Sequence, residues 1–349
     1  MRRLVFVSIV VLVLSSCVVS PLPEIGKDSE VRVVYVSLTG DDGNSGLSKD
    51  KPVKSIQLAL FKAWKEGINY IYLAEGEYTP NNGLNQPSEY SGIVITNGNI
   101  RIVGGWNSDF SKIVGKSILN GQGQLKHVIF ASNLGSLKLY NLIITGGYAD
   151  DYDASSIHSR GGGVYVYNTM LFEMSNTIVI SNKSIQVGGG LYLNKAYTVR
   201  IYGDIGYNKS YWAEGDLYIW NSTNVVIQGN IFSNSKGVYI VNSENINFNG
   251  NAFNNSYGVK IQNSTNVLIV GSIYDNNSSG VHLEGSSNVI IKGTLVSNDT
   301  GIYGYFSQFS VLDAFISYNN DGIRGWYLNY MSILNCDIFS NYNGIYLYG

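Results

Sequence analysis

Four side chains that can move protons or neutralise an acid recur late in the sequence at steps of 21 or 22 residues. They are Lys260, His282, Tyr303 and Arg324. Elimination at a uronate needs a base for the proton beside the carboxylate and a cation that neutralises that carboxylate. The set therefore predicts a lyase site, with Lys, His or Tyr as base and Arg or Lys as cation. The alternative is that long polar side chains line an exposed sheet without any catalysis.

Aromatic side chains recur with the same spacing. Because strand side chains alternate, the third residue of each repeat and the residue two further on face outward. Exposed aromatic rings can stack on the C–H faces of sugars, which predicts a long binding surface for polysaccharide. The predicted substrate-binding residues are Tyr165, Tyr192, Tyr218, Trp220, Tyr239, Glu284, Tyr305 and Trp326. The alternative is that tyrosine simply pairs well across strands, at ~0.2–1 kcal/mol per pair.

Both sets depend on one repeat: a glycine, an aliphatic residue, a variable residue and a second aliphatic residue, as in residues 237–240. From Gly163 to Gly344 successive repeats lie 27, 26, 21, 21, 22, 21, 21 and 22 residues apart, with Asp216 standing for one glycine. A period this short holds two or three brief strands and tight turns but no helix. One unit cannot bury its own apolar side, so neighbours must stack. The sequence predicts an all-β solenoid over residues 91–349.

An asparagine closes each of the later coils, three residues before the next repeat. Asparagine tolerates the left-handed backbone of turns, and in stacked coils it can bond to its copies above and below. The predicted ladder consists of Asn234, Asn255, Asn277, Asn298, Asn319 and Asn341.

The repeat pattern resembles the right-handed parallel β-helix of the pectate-lyase superfamily. The preceding module, residues 32–90, contains a strand at 33–36 and then apolar residues at helical spacing: Ile56, Leu60, Ala63 and Trp64. This order is similar to the N-terminal module of the chondroitinase-B and alginate-lyase group. The resemblance implies a capping helix that plugs the solenoid. It implies no activity, since a β-helix supports many functions.

The first residues have the features of an export signal. Two arginines precede an apolar run, residues 4–14, which is shorter than the ~20 residues of a membrane span. The ending Leu-Ser-Ser-Cys at 14–17 resembles a bacterial lipobox, which implies cleavage after residue 16, acylation of Cys17 and a tether over 17–31. The residue after the cysteine is Val18 and not Asp; by resemblance to Gram-negative lipoproteins, this permits export to the outer membrane. The alternative is an ordinary secretory signal.

The charge balance and the cysteines exclude other classes. Removing residues 1–16 takes two of the 23 basic residues, so the mature charge is 21 − 25 = −4. A mildly acidic chain lacks the basic surface that nucleic-acid binding requires. With Cys17 acylated, Cys336 has no partner, which excludes a disulfide scaffold and predicts a buried filler.

No cofactor and no metal site are predicted, with calcium as the alternative. Two acidic clusters, at Asp41, Asp42 and Asn44 and at Asp150, Asp151 and Asp153, could supply oxygen ligands, although turn formation also explains them. The three histidines, His127, His158 and His282, are too far apart in sequence to suggest zinc. The long insertion at 147–162 is a further candidate for function.

Three functional hypotheses follow. The leading one is a lipid-anchored cell-envelope protein that binds polysaccharide or another surface partner along its aromatic face. The second is a polysaccharide lyase, and the third is a structural spacer. The last coil has no polar cap behind it, which we interpret as truncation or, alternatively, as an end-to-end contact with another copy or partner.

Overall fold

A computed structural model describes residues 31–84, 91–153, 155–212 and 215–349. The predicted signal peptide, Cys17 and the tether up to residue 30 lie outside these described residues. Within the described part of the chain, no helix is long and apolar enough to span a membrane.

The described chain consists mainly of β-strands joined by turns. One α-helix, α1, spans Ile56–Glu66, and one 3-10 turn spans Ile157–Ser159. The strands in chain order are β1 (Val33–Val36), β2 (Tyr70–Ala74), β3 (Gly76–Tyr78), β4 (Ser91–Ile95), β5 (Asn99–Trp106), β6 (Ser117–Leu125), β7 (His127–Tyr140), β8 (Leu142–Ala149), β9 (Val164–Ile180), β10 (Lys183–Ser184), β11 (Leu191–Gly206), β12 (Lys209–Ser210), β13 (Leu217–Trp220), β14 (Thr223–Ile227), β15 (Asn230–Phe232), β16 (Val238–Val241), β17 (Glu244–Phe253), β18 (Val259–Gln262), β19 (Thr265–Tyr274), β20 (Ser279–Glu284), β21 (Ser287–Val296), β22 (Thr300–Tyr305), β23 (Gln308–Ser317), β24 (Asp321–Trp326), β25 (Tyr330–Leu334), β26 (Asp337–Phe339) and β27 (Asn343–Tyr348).

Each coil contributes to three stacks of parallel strands. The first stack runs through β4, β7, β9, β11, β13, β16, β18, β20, β22, β24 and β27. The second includes β1, β2, β5, β14, β17, β19, β21, β23 and β25, and the third β3, β6, β8, β15 and β26. The predicted all-β parallel β-helix is confirmed.

The core is a continuous column of aliphatic side chains. In the repeats before the last coil the aliphatic positions point inward, as Val238 and Ile240 do in β16, and are fully or almost fully buried. Each coil leaves its apolar side open until the next coil covers it. Stacking is therefore what makes the fold stable.

A buried asparagine ladder ties the coils together. In each step the backbone N–H and side-chain amide of one asparagine donate to the side-chain oxygen of the next, at 2.9–3.2 Å. The members are Asn182, Asn208, Asn234, Asn255, Asn276, Asn298, Asn319 and Asn341. The prediction of Asn277 was wrong. That coil has its additional residue after the asparagine, so Asn276 occupies the ladder and Asn277 is exposed.

A second ladder, of serines, was not predicted. The backbone N–H of each serine donates to the hydroxyl of the next, at 3.1–3.2 Å. Its members, Ser222, Ser243, Ser264, Ser286 and Ser307, mark the turn between the first and second stacks. Both ladders satisfy buried backbone groups that water cannot reach.

The N-terminal helix covers the end of the solenoid, as predicted. Its buried face joins the aliphatic core through Ile56, Ala59, Leu60 and Ala63, and Gly67 ends it in the left-handed conformation. The inclusion of Trp64 in this face was wrong, because its side chain is 71% exposed. Trp64 follows Ile56 by eight residues, and at 3.6 residues per turn its side chain points about 80° away from that of Ile56. That direction lies at the edge of the apolar stripe, where a side chain can turn to solvent.

Candidate ligand-binding face

The first stack aligns the four predicted catalytic side chains on consecutive coils. Its register pairs Lys260 with His282, His282 with Tyr303, and Tyr303 with Arg324. The rings of His282 and Tyr303 lie 4.7 Å apart between centroids. The structure thus brings these four residues together, while their catalytic roles stay predictions.

Lys260 points outward but is enclosed by its neighbours. Its side chain is only 10% exposed, and its ammonium lies 5.0 Å from the ring centroid of Tyr239 and 5.6 Å from that of Tyr257. Its nitrogen also lies 3.9 Å from a carboxylate oxygen of Glu284. Aromatic faces attract a cation electrostatically, so the ammonium is held at a fixed point.

His282 is suited to accept a proton. Burial, and then the charge of Lys260, lower its pKa to about 4, so the imidazole is neutral at neutral pH. A neutral imidazole has one nitrogen with an available lone pair. By contrast, burial raises the pKa of Tyr303, so its hydroxyl keeps its proton. Of the candidate bases, His282 thus offers an unprotonated nitrogen at neutral pH, while its lowered pKa also makes it a weak base. Tyr303, which keeps its proton, matches the role of proton donor.

Arg324 is the last of these four aligned residues in chain order. Its guanidinium lies 3.6 Å from Asp321 and near the rings of Trp326 and Tyr346, at 5.7 and 5.9 Å from their centroids. Its side chain is part-exposed, so a ligand carboxylate can approach it. A planar guanidinium suits such an acid.

A second row follows two residues further along each strand. The register pairs Glu284 with Tyr305 and Tyr305 with Trp326, and all three side chains are half-buried. We call the two rows together the open face, whose members are Tyr239, Lys260, His282, Glu284, Tyr303, Tyr305, Arg324 and Trp326. This surface combines aromatic rings with both signs of charge.

The N-terminal part of the predicted aromatic surface is buried beneath other residues and is not accessible to solvent. Tyr165 and Tyr192 are 4% and 1% exposed and stack on each other at 5.0 Å between centroids, and Tyr218 follows at 5.7 Å. We call Tyr165 and Tyr192 the capped column. The expectation that they are exposed was wrong, whereas Tyr218 and Trp220 are half-buried.

Longer connections explain this difference. The first residue of the next repeat lies eight positions after the ladder asparagine when that asparagine is Asn182 (190 − 182) or Asn208 (216 − 208). After Asn234 it lies only three positions on (237 − 234). The additional residues fold over the first stack, where Val187 packs on the tyrosines and Arg160 lies 5.8 Å from the ring centroid of Tyr192. We call residues 147–162, 183–189 and 209–215 the covering segments; 154 and 213–214 are not described.

A buried histidine pair was missed by the sequence analysis. His127 Nδ1 lies 2.9 Å from the carbonyl oxygen of Gly161, and its Nε2 lies 3.0 Å from Nδ1 of His158. Because a carbonyl only accepts, His127 donates through Nδ1, so its Nε2 accepts the N–H of His158. Burial lowers the pKa of His127 to about 3 and also lowers that of His158. The pair attaches the insertion at 147–162 to the solenoid. The sequence analysis did not recognise it because the two histidines are 31 residues apart in sequence.

The two acidic clusters hold their own loops. Asp42 accepts the backbone N–H groups of Lys54 and Ser55 at 2.9 and 2.7 Å, and Asp41 accepts that of Gly43 at 2.7 Å. Asn44 donates to a backbone carbonyl at 2.9 Å. These contacts match the alternative of turn formation, and calcium binding stays a prediction.

A protein-family model described as “Periplasmic copper-binding protein (NosD)” matches residues 147–303 and 203–349. Together the matches cover 203 of the 349 residues, since 349 − 147 + 1 = 203. No curated protein matches the sequence.

Two solved structures are similar to the chain. One is the A-module of the mannuronan C-5 epimerase AlgE6 from Azotobacter vinelandii, at 15% identity and a TM-score of 0.39, over 84% of this chain and 94% of that chain. The other is the GH136 lacto-N-biosidase from Eubacterium ramulus, at 11% identity and a TM-score of 0.40, over 92% of this chain and 67% of that chain.

Proposed function

The chain belongs to the NosD family, a family of right-handed β-helix proteins, and from this premise we propose that it is an extracytoplasmic protein whose open face binds polysaccharide. A periplasmic family is consistent with the export signal that the sequence predicts. We further propose acylation at Cys17, which would attach the protein to the cell envelope, at the outer membrane in a Gram-negative host.

One observation carries the proposal. On the open face, half-buried aromatic rings and charged side chains lie side by side on consecutive coils, as Tyr303 on one coil and Arg324 and Trp326 on the next do. Stacked strands lie ~4.8 Å apart, so the face presents a row of regularly spaced groups. Rings can pack on the C–H faces of sugar units, and the charged groups can bond to hydroxyls. An extended polymer of sugars matches this regular surface.

The test is retention of the purified protein in affinity gels that contain polysaccharide. We expect Tyr305→Ala with Trp326→Ala to abolish retention, because both rings of the second row are lost. Tyr342→Ala is the matched control, since this tyrosine is 87% exposed and lies outside the face. Unchanged retention of the double variant would mean that the face is not the site.

A lyase is the second candidate, favoured by the neutral His282 between Lys260 and Tyr303. His282 would take the proton from the carbon beside the uronate carboxylate while Arg324 neutralises that carboxylate. The electron pair would form a carbon–carbon double bond as the glycosidic C–O bond breaks, and Tyr303 would protonate the leaving oxygen. This mechanism needs no group beyond those present on the face.

Absorbance of unsaturated products tests this candidate across a panel of uronate polysaccharides. Product formation that His282→Gln abolishes and Tyr342→Ala preserves would support it. A flat trace from folded protein would remove the lyase hypothesis and leave the binding proposal. If the protein also binds none of the polysaccharides, the structural spacer is the hypothesis that stands.

Copper, which the family description names, does not fit the described residues as a bound metal. Copper sites use imidazole and sulfur ligands in close groups. The described part of the chain contains no group of three or more His, Cys, Asp or Glu that could hold a metal ion. Its one contacting histidine pair, His127 and His158, is joined by a mutual hydrogen bond. No step of the proposed function therefore involves copper.

Other predicted partners stay predictions. The predicted absence of nucleic-acid binding is untested, and the end-to-end contact at the last coil has no observation that supports it. Residues of that coil, including Ile345 and Leu347, are exposed in this structure.

A further inference from the structure

We propose that a second surface, on the covering segments, binds an acidic polysaccharide. We call it the aromatic–lysine patch; its members are Tyr148, Tyr152, Lys183, Lys209, Tyr211 and Trp212. The inference goes beyond the proposed function, because it assigns a separate site with a ligand of stated charge and does not depend on the open face.

The patch contains two pairs of contacting rings, three of which are exposed and one, Tyr148, half-buried. Tyr148 and Tyr211 lie 6.4 Å apart between ring centroids, and Tyr152 meets Trp212 edge to face at 5.5 Å. Tyr152 is 66% exposed and Trp212 58%. Contiguous apolar groups on a protein surface usually mark a binding site. Here four rings from two separate covering segments gather at one place.

Two lysines supply the positive charge of the patch. The short strands β10 and β12 pair in parallel with the end of β8 and place Tyr148, Lys183 and Lys209 side by side on consecutive coils. The ammonium of Lys209 lies 4.4 Å from the ring centroid of Tyr211, and that of Lys183 lies 5.9 Å from that of Tyr148. Within the described chain neither ammonium forms an ion pair. The rings thus fix two cations whose charge no described carboxylate neutralises.

The aspartates near the patch form an ion pair with Lys126 or hydrogen bonds within the insertion. Asp150 pairs with Lys126, Asp151 accepts the backbone N–H of Asp153 at 3.0 Å, and Asp153 accepts that of Ser155 at 2.8 Å. These contacts hold the insertion in shape, and among the described residues the charged groups that contact the rings of the patch are the two lysines. A negatively charged ligand complements this arrangement.

The spacing favours a polymer with one acid on each unit. Lys183 and Lys209 lie on neighbouring strands, ~4.8 Å apart, which is about the length of one sugar ring. A uronate chain along the solenoid axis can place successive carboxylates at successive lysines while its ring faces pack on Tyr152 and Trp212. A membrane with anionic headgroups shares the charge but not this regular spacing.

The covering segments account for the position of the patch. The backbone N–H groups of Tyr211 and Trp212 donate to the carbonyls of Ser184 and Ile185, at 3.1 and 2.9 Å. All six patch residues belong to the segments that close the capped column. The same additional residues therefore remove one aromatic surface and build another beside it.

The test measures binding of the full-length protein to polygalacturonate, with a neutral glucan and vesicles of phosphatidylcholine and phosphatidylglycerol as comparison ligands. We expect Lys183→Gln with Lys209→Gln to weaken polygalacturonate binding about tenfold, and added salt to weaken the wild type likewise. The charge-matched control is Lys138→Gln with Lys292→Gln, on the second stack, which should bind as the wild type does. Trp212→Ala should also weaken binding.

Each other outcome overturns the inference. Equal weakening by the control pair would show a general charge effect, and unchanged binding by the lysine variant would remove the site. Loss of vesicle binding alone would assign the patch to a lipid surface instead. The open-face variant, Tyr305→Ala with Trp326→Ala, separates the two proposals: if only that variant loses polygalacturonate, the proposed function stands and this inference fails.

Discussion

The capped column and the open face are built from the same repeat on the same stack, yet one is closed and the other accessible. Tyr192 and Tyr303 occupy equivalent positions, and both follow an inward-facing aliphatic residue. The difference lies in the connection before the strand, which is five residues longer where the column is capped (8 − 3 = 5). Accessibility in this solenoid is therefore set by the loops between coils, and the strand sequence alone does not decide it.

The largest expected effect concerns a feature that both regions share. Asn208→Leu beside the capped column and Asn276→Leu beneath the open face should each lower the free energy of unfolding by ~3–5 kcal/mol, since buried donors and acceptors lose their partners. Urea unfolding would measure this. The exposed neighbour is the control: Asn277→Leu should change stability by less than ~0.5 kcal/mol. Strongly unequal losses in the two regions would mean that the ladder is not one continuous element.

The next effect is the pH dependence of the free energy of unfolding, to which His127 near the capped column and His282 on the open face contribute. The folded-state pKa values of His127 and His282, about 3 and about 4, lie below the ordinary value of ~6.5. Between these values the unfolded chain binds protons that the folded chain does not, so stability is full above pH ~6.5 and falls as the pH falls. Between pH 7 and 4.5, His282→Phe should lose ~2–3 kcal/mol less than the wild type. Parallel profiles for the two proteins in urea would contradict this.

The smallest effect tests the cover itself. Tyrosine nitration mapped by mass spectrometry should modify Tyr303 and Tyr305 and spare Tyr165 and Tyr192. Val187→Ala should admit the reagent to Tyr192 and lower the free energy of unfolding by only ~1 kcal/mol, because a small apolar area is lost. If Tyr165 and Tyr192 react in the wild type, the distinction between capped and open regions falls.

The fold was predictable because its signal is periodic. The glycine–aliphatic repeat marks a strand in every coil, and the inward position of Val238 and Ile240 follows from alternation alone. The helix α1 was also predictable from its apolar spacing, although Trp64 was assigned to the wrong face. The asparagine ladder was predicted with an error of one residue at Asn276, since a 22-residue coil does not show where its additional residue lies. Its first two members, Asn182 and Asn208, were missed because in their coils the asparagine lies eight positions before the next repeat and not three.

The candidate site was predictable only where the coils are regular. In the short coils, register follows from sequence spacing, so Lys260, His282 and Tyr303 were correctly placed side by side. In the long coils the additional residues have no periodicity, and their path depends on tertiary contacts such as that between His127 and His158. Burial of Tyr165 and the gathering of Tyr152 with Trp212 could not be deduced from the strand pattern.

The asparagine ladder also has a consequence for how such a chain can change its length. Each ladder side chain bonds with its equivalents in the adjoining coils, so every regular coil offers the next one the same set of donors and acceptors. An in-frame tandem duplication of 21 residues would meet matching partners at both of its junctions. The protein could thus lengthen or shorten by whole coils while the interior of the remaining coils is unaltered. Gene duplication within the chain is therefore a route by which relatives of different length can arise from one structural unit.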